Sequence, residues 1–207
     1  MPLLPQTRAM RKLRRTALAG VSACVPFLAA SPLAGQEMAL PLPVQWGLYD
    51  NILAFDRAFA DRGEDGLVVG VLYQSRFRPS AVAHAELLDM AQAGQLQLGK
   101  RDVRFVSIEV TTLRQAEADL LEQNVDVVYV TPLRAVSIAN LTRLSIEHRL
   151  VTLTGVREYW EQGLAIGLGL RGGRPEILVH LESCRAQGLQ LSSELLNIAT
   201  VLQEGSP

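Results

Sequence analysis

The chain has 207 residues, of which 48% are hydrophobic, 5% aromatic and 20% charged, enough for one domain with its own core. Its 20 Lys and Arg balance 21 Asp and Glu, and no basic stripe carries interleaved aromatics, so the electrostatic footprint of a nucleic-acid binder is excluded. With two cysteines in all, Cys24 and Cys184, a scaffold built on disulfides is excluded as well.

Arg8, Arg11, Lys12, Arg14 and Arg15 precede an uncharged run from Thr16 to Ala30, and no acidic residue stands before Glu37. A basic, then apolar, then small-residue profile is that of a secretory signal peptide. The run falls short of the roughly 20 apolar residues that a membrane span needs; an uncleaved anchor is the alternative. Residues 1–35 are therefore read as the leader and residues 36–207 as the working domain, which holds all 21 acidic residues. Val21-Ser22-Ala23-Cys24 looks like a lipobox, which makes Cys24 a candidate for lipidation. Without the leader, Cys184 is the one thiol, buried and free or else paired between chains.

Leu48, Ile52, Phe55 and Phe59 are spaced four, three and four, which places them on one helical face. Leu67 to Tyr73 is apolar throughout, as a strand covered on both faces must be. Pro79 opens a helix with Ala83, Leu87, Leu88 and Ala91 on its buried side, and His84 beside them. Val103 to Ile108 alternates as a second strand. Thr112 to Gln115 has capping-box spacing, and Leu113, Ala116 and Leu120 follow on one helical face. Asp126 to Thr131 is a third strand, with Thr131-Pro132 as cap and first position of a helix running to His148. Leu150 to Thr154 is a fourth strand, and a short helical piece covers Val156 to Glu161. Leu164, Ile166, Leu168 and Leu170 then alternate with Ala165, Gly167 and Gly169, so one strand face is bulky and the other bare, the mark of a closely approaching neighbour. Gly172-Gly173 signals a hairpin turn. The return strand carries Ile177, Val179 and Leu181. Ser192 or Ser193 caps a closing helix with Leu195, Ile198, Ala199 and Leu202 on one face. Repeated strand–helix alternation predicts an α/β fold: a three-layer sandwich with a mostly parallel sheet of about six strands, ending in an antiparallel hairpin.

Chemistry-bearing constellations are scarce. The three histidines, His84, His148 and His180, have no ligand spacing, and no nucleophile elbow or phosphate loop occurs. The reading is a non-enzyme with no cofactor and no metal. In open α/β sheets, ligands sit outside the carboxyl ends of the strands. Those ends offer Tyr73, Ser75, Arg76, Thr111, Thr131 and Thr154 as candidate binding residues. Hydroxyls, helix N-termini and one arginine suit a small polar or anionic ligand; the alternative is that the threonines only cap helices. Trp46, Tyr49 and Trp160 are candidates for an interface, where aromatics are enriched; the alternative for Trp46 and Trp160 is a half-buried structural role.

The C-terminal third carries a pattern. Gly163 opens the paired strands, Gly172-Gly173 makes the turn, and Gly188-Leu189-Gln190-Leu191-Ser192-Ser193-Glu194-Leu195-Leu196-Asn197-Ile198-Ala199 follows. This resembles the closing signature of the YfiR family, Gly-Leu-x-Ile-Ser-Ser-x-Leu-Leu-x-Leu-Ala, and Leu48 to Ile52 resembles that family's opening helix. Three departures stand out. An Asn usual in the first hairpin strand is replaced by Ala165-Ile166-Gly167, Val179-His180 stands where the second strand usually ends near an Ile-Asn pair, and cysteines that pair in some relatives have no counterpart. The resemblance implies a periplasmic regulator, often a homodimer, that restrains the periplasmic part of a membrane-bound signalling enzyme, in the best-known arrangement a diguanylate cyclase of the cyclic di-GMP pathway. The competing expectation is a single-lobe periplasmic protein that binds a small ligand for a transporter or sensor kinase.

Overall fold

The computed structural model describes residues 37–63 and 66–203. The leader reading, residues 1–35 with Cys24, lies outside the described residues. Helix α1 (Leu42–Ala54) and a 3-10 turn (Phe59–Asp61) lead into strand β1 (Leu67–Tyr73). Helix α2 (Arg78–Gln92), a two-residue strand β2 (Gln97–Leu98) and β3 (Arg101–Glu109) follow. Next come α3 (Leu113–Glu122), β4 (Val127–Val130), α4 (Ile138–Glu147), β5 (Val151–Thr154) and α5 (Arg157–Glu161). The chain closes with β6 (Ile166–Arg171), β7 (Arg174–His180), α6 (Leu181–Ala186), α7 (Ser193–Ile198) and β8 (Thr200–Leu202).

The strands form one sheet in the order β2-β3-β1-β4-β5-β6-β7-β8. The β3-β1-β4-β5-β6 run is parallel throughout, and β6–β7 is an antiparallel hairpin. Two apolar clusters sandwich it. Val69 and Val71 point into the one shared with α1, α2 and Leu195 of α7. Val68 and Leu72 point into the other, shared with α3, α4 and Tyr159 of α5. Successive side chains of a strand face opposite ways, so a strand covered twice reads as the unbroken apolar run found at Leu67–Tyr73.

The three-layer α/β architecture and the hairpin are as the alternation predicts. At the turn, Gly172 and Gly173 hold φ of 57° and 76°, the left-handed region a two-residue hairpin loop requires. The bare face of β6 is covered by α5: a Cβ on Gly167 would stand 2.8 Å from that of Trp160. The Thr112 hydroxyl caps α3 by accepting from Gln115 N–H at 3.2 Å, and Ser192 caps α7 through Leu195 N–H.

Other expectations need correction. The sheet has eight strands and not about six; the additional ones are β2 and β8. The predicted closing helix stops at Ile198, which is 73% exposed. Ala199 turns extended, and the β-branched pair Thr200-Val201 then adds to β7. The buried stripe of α1 is Leu42, Gln45, Trp46, Tyr49, Ile52 and Leu53; Phe55 is exposed, and Phe59 is buried from the separate turn. A glutamine inside the stripe hid its true phase. Thr131-Pro132 does not start α4, which begins at Ile138 after Ser137. Trp46, Tyr49 and Trp160 are buried and present no surface to a partner. Trp46 and Tyr49 instead pack edge to face, with Tyr129 beside both.

Candidate functional site: the crevice at the strand-order switch

The chain leaves β1 through α2 to reach β3 on one side, then returns through α3 to β4 on the other. Helices on opposite faces thereby diverge beyond the carboxyl ends of β1 and β4, and a crevice opens between them, the usual ligand position in such sheets. It has a volume of about 570 Å³. Phe77, Pro79 and Val82 of the α2 start give it apolar walls, Pro132 and Met38 complete them, and Arg78, Arg134, Glu86 and Glu37 bring charge. The Arg134 guanidinium lies 4.2 Å over the Phe77 ring, a cation–π contact that gives the arginine a fixed seat.

The loop carrying Arg134 is held from below. Gln74 Oε1 accepts from the backbone N–H of Arg134 and, at 3.0 Å, from that of Ala135. Thr131 donates to Leu72 O at 2.7 Å, so Ser80 O–H is the donor in the 2.6 Å contact to Thr131 Oγ1, while Ser80 Oγ accepts from Gln74 N–H at 2.8 Å. Met38 is positioned by Tyr129, whose hydroxyl lies 3.4 Å from its sulfur and donates to Gln45 Oε1 at 2.8 Å. Burial pushes the Tyr129 hydroxyl far above its ordinary range.

The six residues proposed from sequence divide sharply. Thr131 and Thr154 are fully buried, and their hydroxyls face inward; Thr154 donates to Val130 O at 3.1 Å and accepts from Val156 N–H. They fasten the strand ends and are not among the residues that line the crevice. Thr111 is exposed, beside the capping Thr112. Tyr73 and Ser75 come together at a neighbouring polar corner. There Tyr73 stacks on His84 with centroids 3.7 Å apart, His84 Nε2 lies 2.7 Å from Ser107 Oγ, and Ser75 donates to Glu109. Burial, and then the nearby Glu109 carboxylate, raise the Tyr73 hydroxyl pKa. Burial lowers that of His84 against the opposing pull of Glu109. His84 thus sits half-buried at this corner as a hydrogen-bonded histidine at the rim. Arg76 is exposed, two residues before Arg78.

The residues that form the crevice, Phe77, Arg78 and Arg134 above all, carry no motif. Their nearest signal in the sequence is their position just past the ends of two apolar strands. At the far end of the sheet, Glu176 is buried on β7 between Arg157 (2.7 Å), Arg171 and the Thr200 hydroxyl (2.5 Å). His180 ends β7 and caps α6 by accepting from Ser183 N–H. The Cys184 thiol is buried and free, donates to Ala165 O at 3.3 Å, and has its pKa pushed up by that burial. No helix among the described residues is long and apolar enough to cross a membrane.

Fold and crevice together define a doubly wound α/β protein with a small-molecule-sized cleft at its switch point. The sequence profile of the YfiR/HmsC-like family matches residues 59–200, and the chain belongs to that family. No curated protein matches the chain. Among solved structures, a conserved domain protein of Vibrio cholerae is similar at 16% identity and TM-score 0.57, covering 78% of this chain and 60% of its own. The ligand-free, open form of a substrate-binding protein with adhesive properties from Clostridium difficile is similar at 15% identity and TM-score 0.51, over 70% of this chain and 57% of that one. An ABC domain in complex with L-Trp from Streptococcus pneumoniae is similar at 10% identity and TM-score 0.54, over 76% and 61%. At such identities the likeness is one of fold alone, and the chain spans about three fifths of the length of each.

Proposed function

We propose that this protein is an exported regulator that works in the periplasm by contact with the periplasmic part of a membrane-bound signalling enzyme, a diguanylate cyclase, and that it is not itself an enzyme. The observation that carries this is the family match across residues 59–200. The export-type leader at residues 1–35 supports the compartment, with the Cys24 lipobox as a route to a lipid anchor. Deleting the gene should change cellular cyclic di-GMP and biofilm, and the tagged chain should co-purify with an integral membrane cyclase. Unchanged cyclic di-GMP across several growth conditions, with no cyclase in the membrane fraction, would remove this reading.

A second reading, a single lobe that binds a small ligand for a transporter or sensor kinase, is favoured by one observation: the crevice combines an apolar wall with the anchored Arg134. A ligand with an apolar body and an anionic group fits that chemistry. Thermal melting against a panel of amino acids and carboxylates should find a stabilising ligand whose effect Arg134→Ala abolishes. No shift at concentrations that saturate a micromolar site would exclude it.

A further inference from the structure

The sheet separates two apolar clusters, and among the described residues Met38 alone packs against both. A side chain can reach both only across the end of the sheet. Met38 does so at the carboxyl end, where Pro132 follows β4 and the crevice opens. Its sulfur stands 3.4 Å from the Tyr129 hydroxyl. Glu37, the preceding residue, also lines the crevice. Two neighbouring residues of one strap thus bring a carboxylate and an unbranched apolar chain into the space bordered by Arg78 and Arg134.

The strap is pinned at one end. Leu40 is buried, and its carbonyl accepts from Gln45 Nε2 at 2.7 Å. Glu37 and Ala39 are exposed, Met38 is half-buried, and among the described residues no backbone hydrogen bond holds residues 37–39. These three can swing out about Leu40 without breaking a helix or a ladder. Methionine suits such a post, because its chain is flexible and its sulfur is only a weak acceptor. The Tyr129 hydroxyl gives up that sulfur and keeps Gln45 Oε1 at 2.8 Å. Withdrawal also changes the charge. With the strap in place, Arg78 and Arg134 face Glu37 and Glu86. With it out, Glu86 stands alone against both arginines, and a net positive cleft draws an anion. We infer that residues 37–39 are a displaceable plug that imitates the ligand, and that the crevice takes a carboxylate on an unbranched alkyl chain. The alkyl chain replaces Met38 against both clusters, and the carboxylate replaces that of Glu37. The plug rests on the crevice being a small-ligand site, and it sets how tightly that site binds: apparent affinity is the intrinsic affinity reduced by the fraction of molecules with the plug out.

Octanoate is the probe, followed by calorimetry and by methyl resonances of the chain recovered from expressing cells. The sequence has four methionines, few enough for each methyl to be assigned by substitution. Saturating octanoate should move the Met38 methyl of the wild type to the position of an exposed methionine. The methyl of Met90, buried under α2, should stay where it is. Met38→Ala should bind octanoate about tenfold tighter than the wild type, and Glu37→Gln should tighten it by a smaller factor. Arg134→Ala should weaken binding with or without Met38→Ala. Octanoate bound with the Met38 methyl unmoved, or bound no tighter by Met38→Ala, would overturn the plug and leave the small-ligand reading standing. So would indifference of both proteins to octanoate while another member of the amino-acid and carboxylate panel binds. A chain that binds no member of the panel would remove both.

Discussion

Thr131 is engaged on every side. It donates to Leu72 O, accepts from the equally buried Ser80, and through Ser80 holds the Gln74 backbone. Replacing it with isosteric valine would leave the buried Ser80 hydroxyl short of its acceptor, while Leu72 O keeps the backbone N–H of residue 131 at 3.3 Å, a cost of about 1–3 kcal/mol. Thr131→Val should lower the denaturant midpoint accordingly without changing the slope of the transition; an unchanged midpoint would show that the relay contributes nothing. Arg134 sits a few residues on, and its seat over Phe77 depends on Gln74 holding the loop backbone. The crevice and the strand-end relay thus share one scaffold, although Thr131 itself touches no ligand space.

At the scale of elements, the three-residue strand β8 is tied to the hairpin by more than its ladder. Thr200 donates to Glu176, and Arg171 reaches both. Burial alone would raise the Glu176 carboxyl, but the Thr200 hydroxyl and the Arg157 guanidinium, with Arg171, hold it below the usual carboxylate range. A carboxylate with a depressed folded-state pKa stabilises the fold above its unfolded value, about 4.3 for glutamate, and that stabilisation is lost as pH falls through the depressed value. The wild type should therefore lose stability on acidification below about pH 4.3. Glu176→Gln should be less stable at neutral pH and should flatten that acid limb. Chemical denaturation at a series of pH values checks this, and parallel acid limbs for the two proteins would refute it.

For the whole molecule, local code and long-range packing explain different parts of the structure. The Thr112 cap, the Gly172-Gly173 turn and the doubly covered strand at Leu67–Tyr73 are legible because each rests on a residue's own conformational preference or on short-range periodicity. The phase of α1 departs from the apolar periodicity because Gln45 lies inside the buried stripe, satisfied there by Leu40 O and Tyr129. Helix periodicity cannot foresee a partner 84 residues away in sequence. β8 was unreadable for a related reason: three residues become a strand only where the edge of β7 waits for them.

The site divides in the same way. Sequence alone determined the layered α/β class and the parallel sheet with its hairpin, since these follow from strand–helix alternation and the handedness of crossovers. Only the tertiary structure decided which groups at the carboxyl ends of the strands face outward. Thr131 and Thr154 turn in and Arg134 settles on Phe77, because a hydroxyl's direction depends on which buried acceptors stand beside it, and that is fixed when the strands meet.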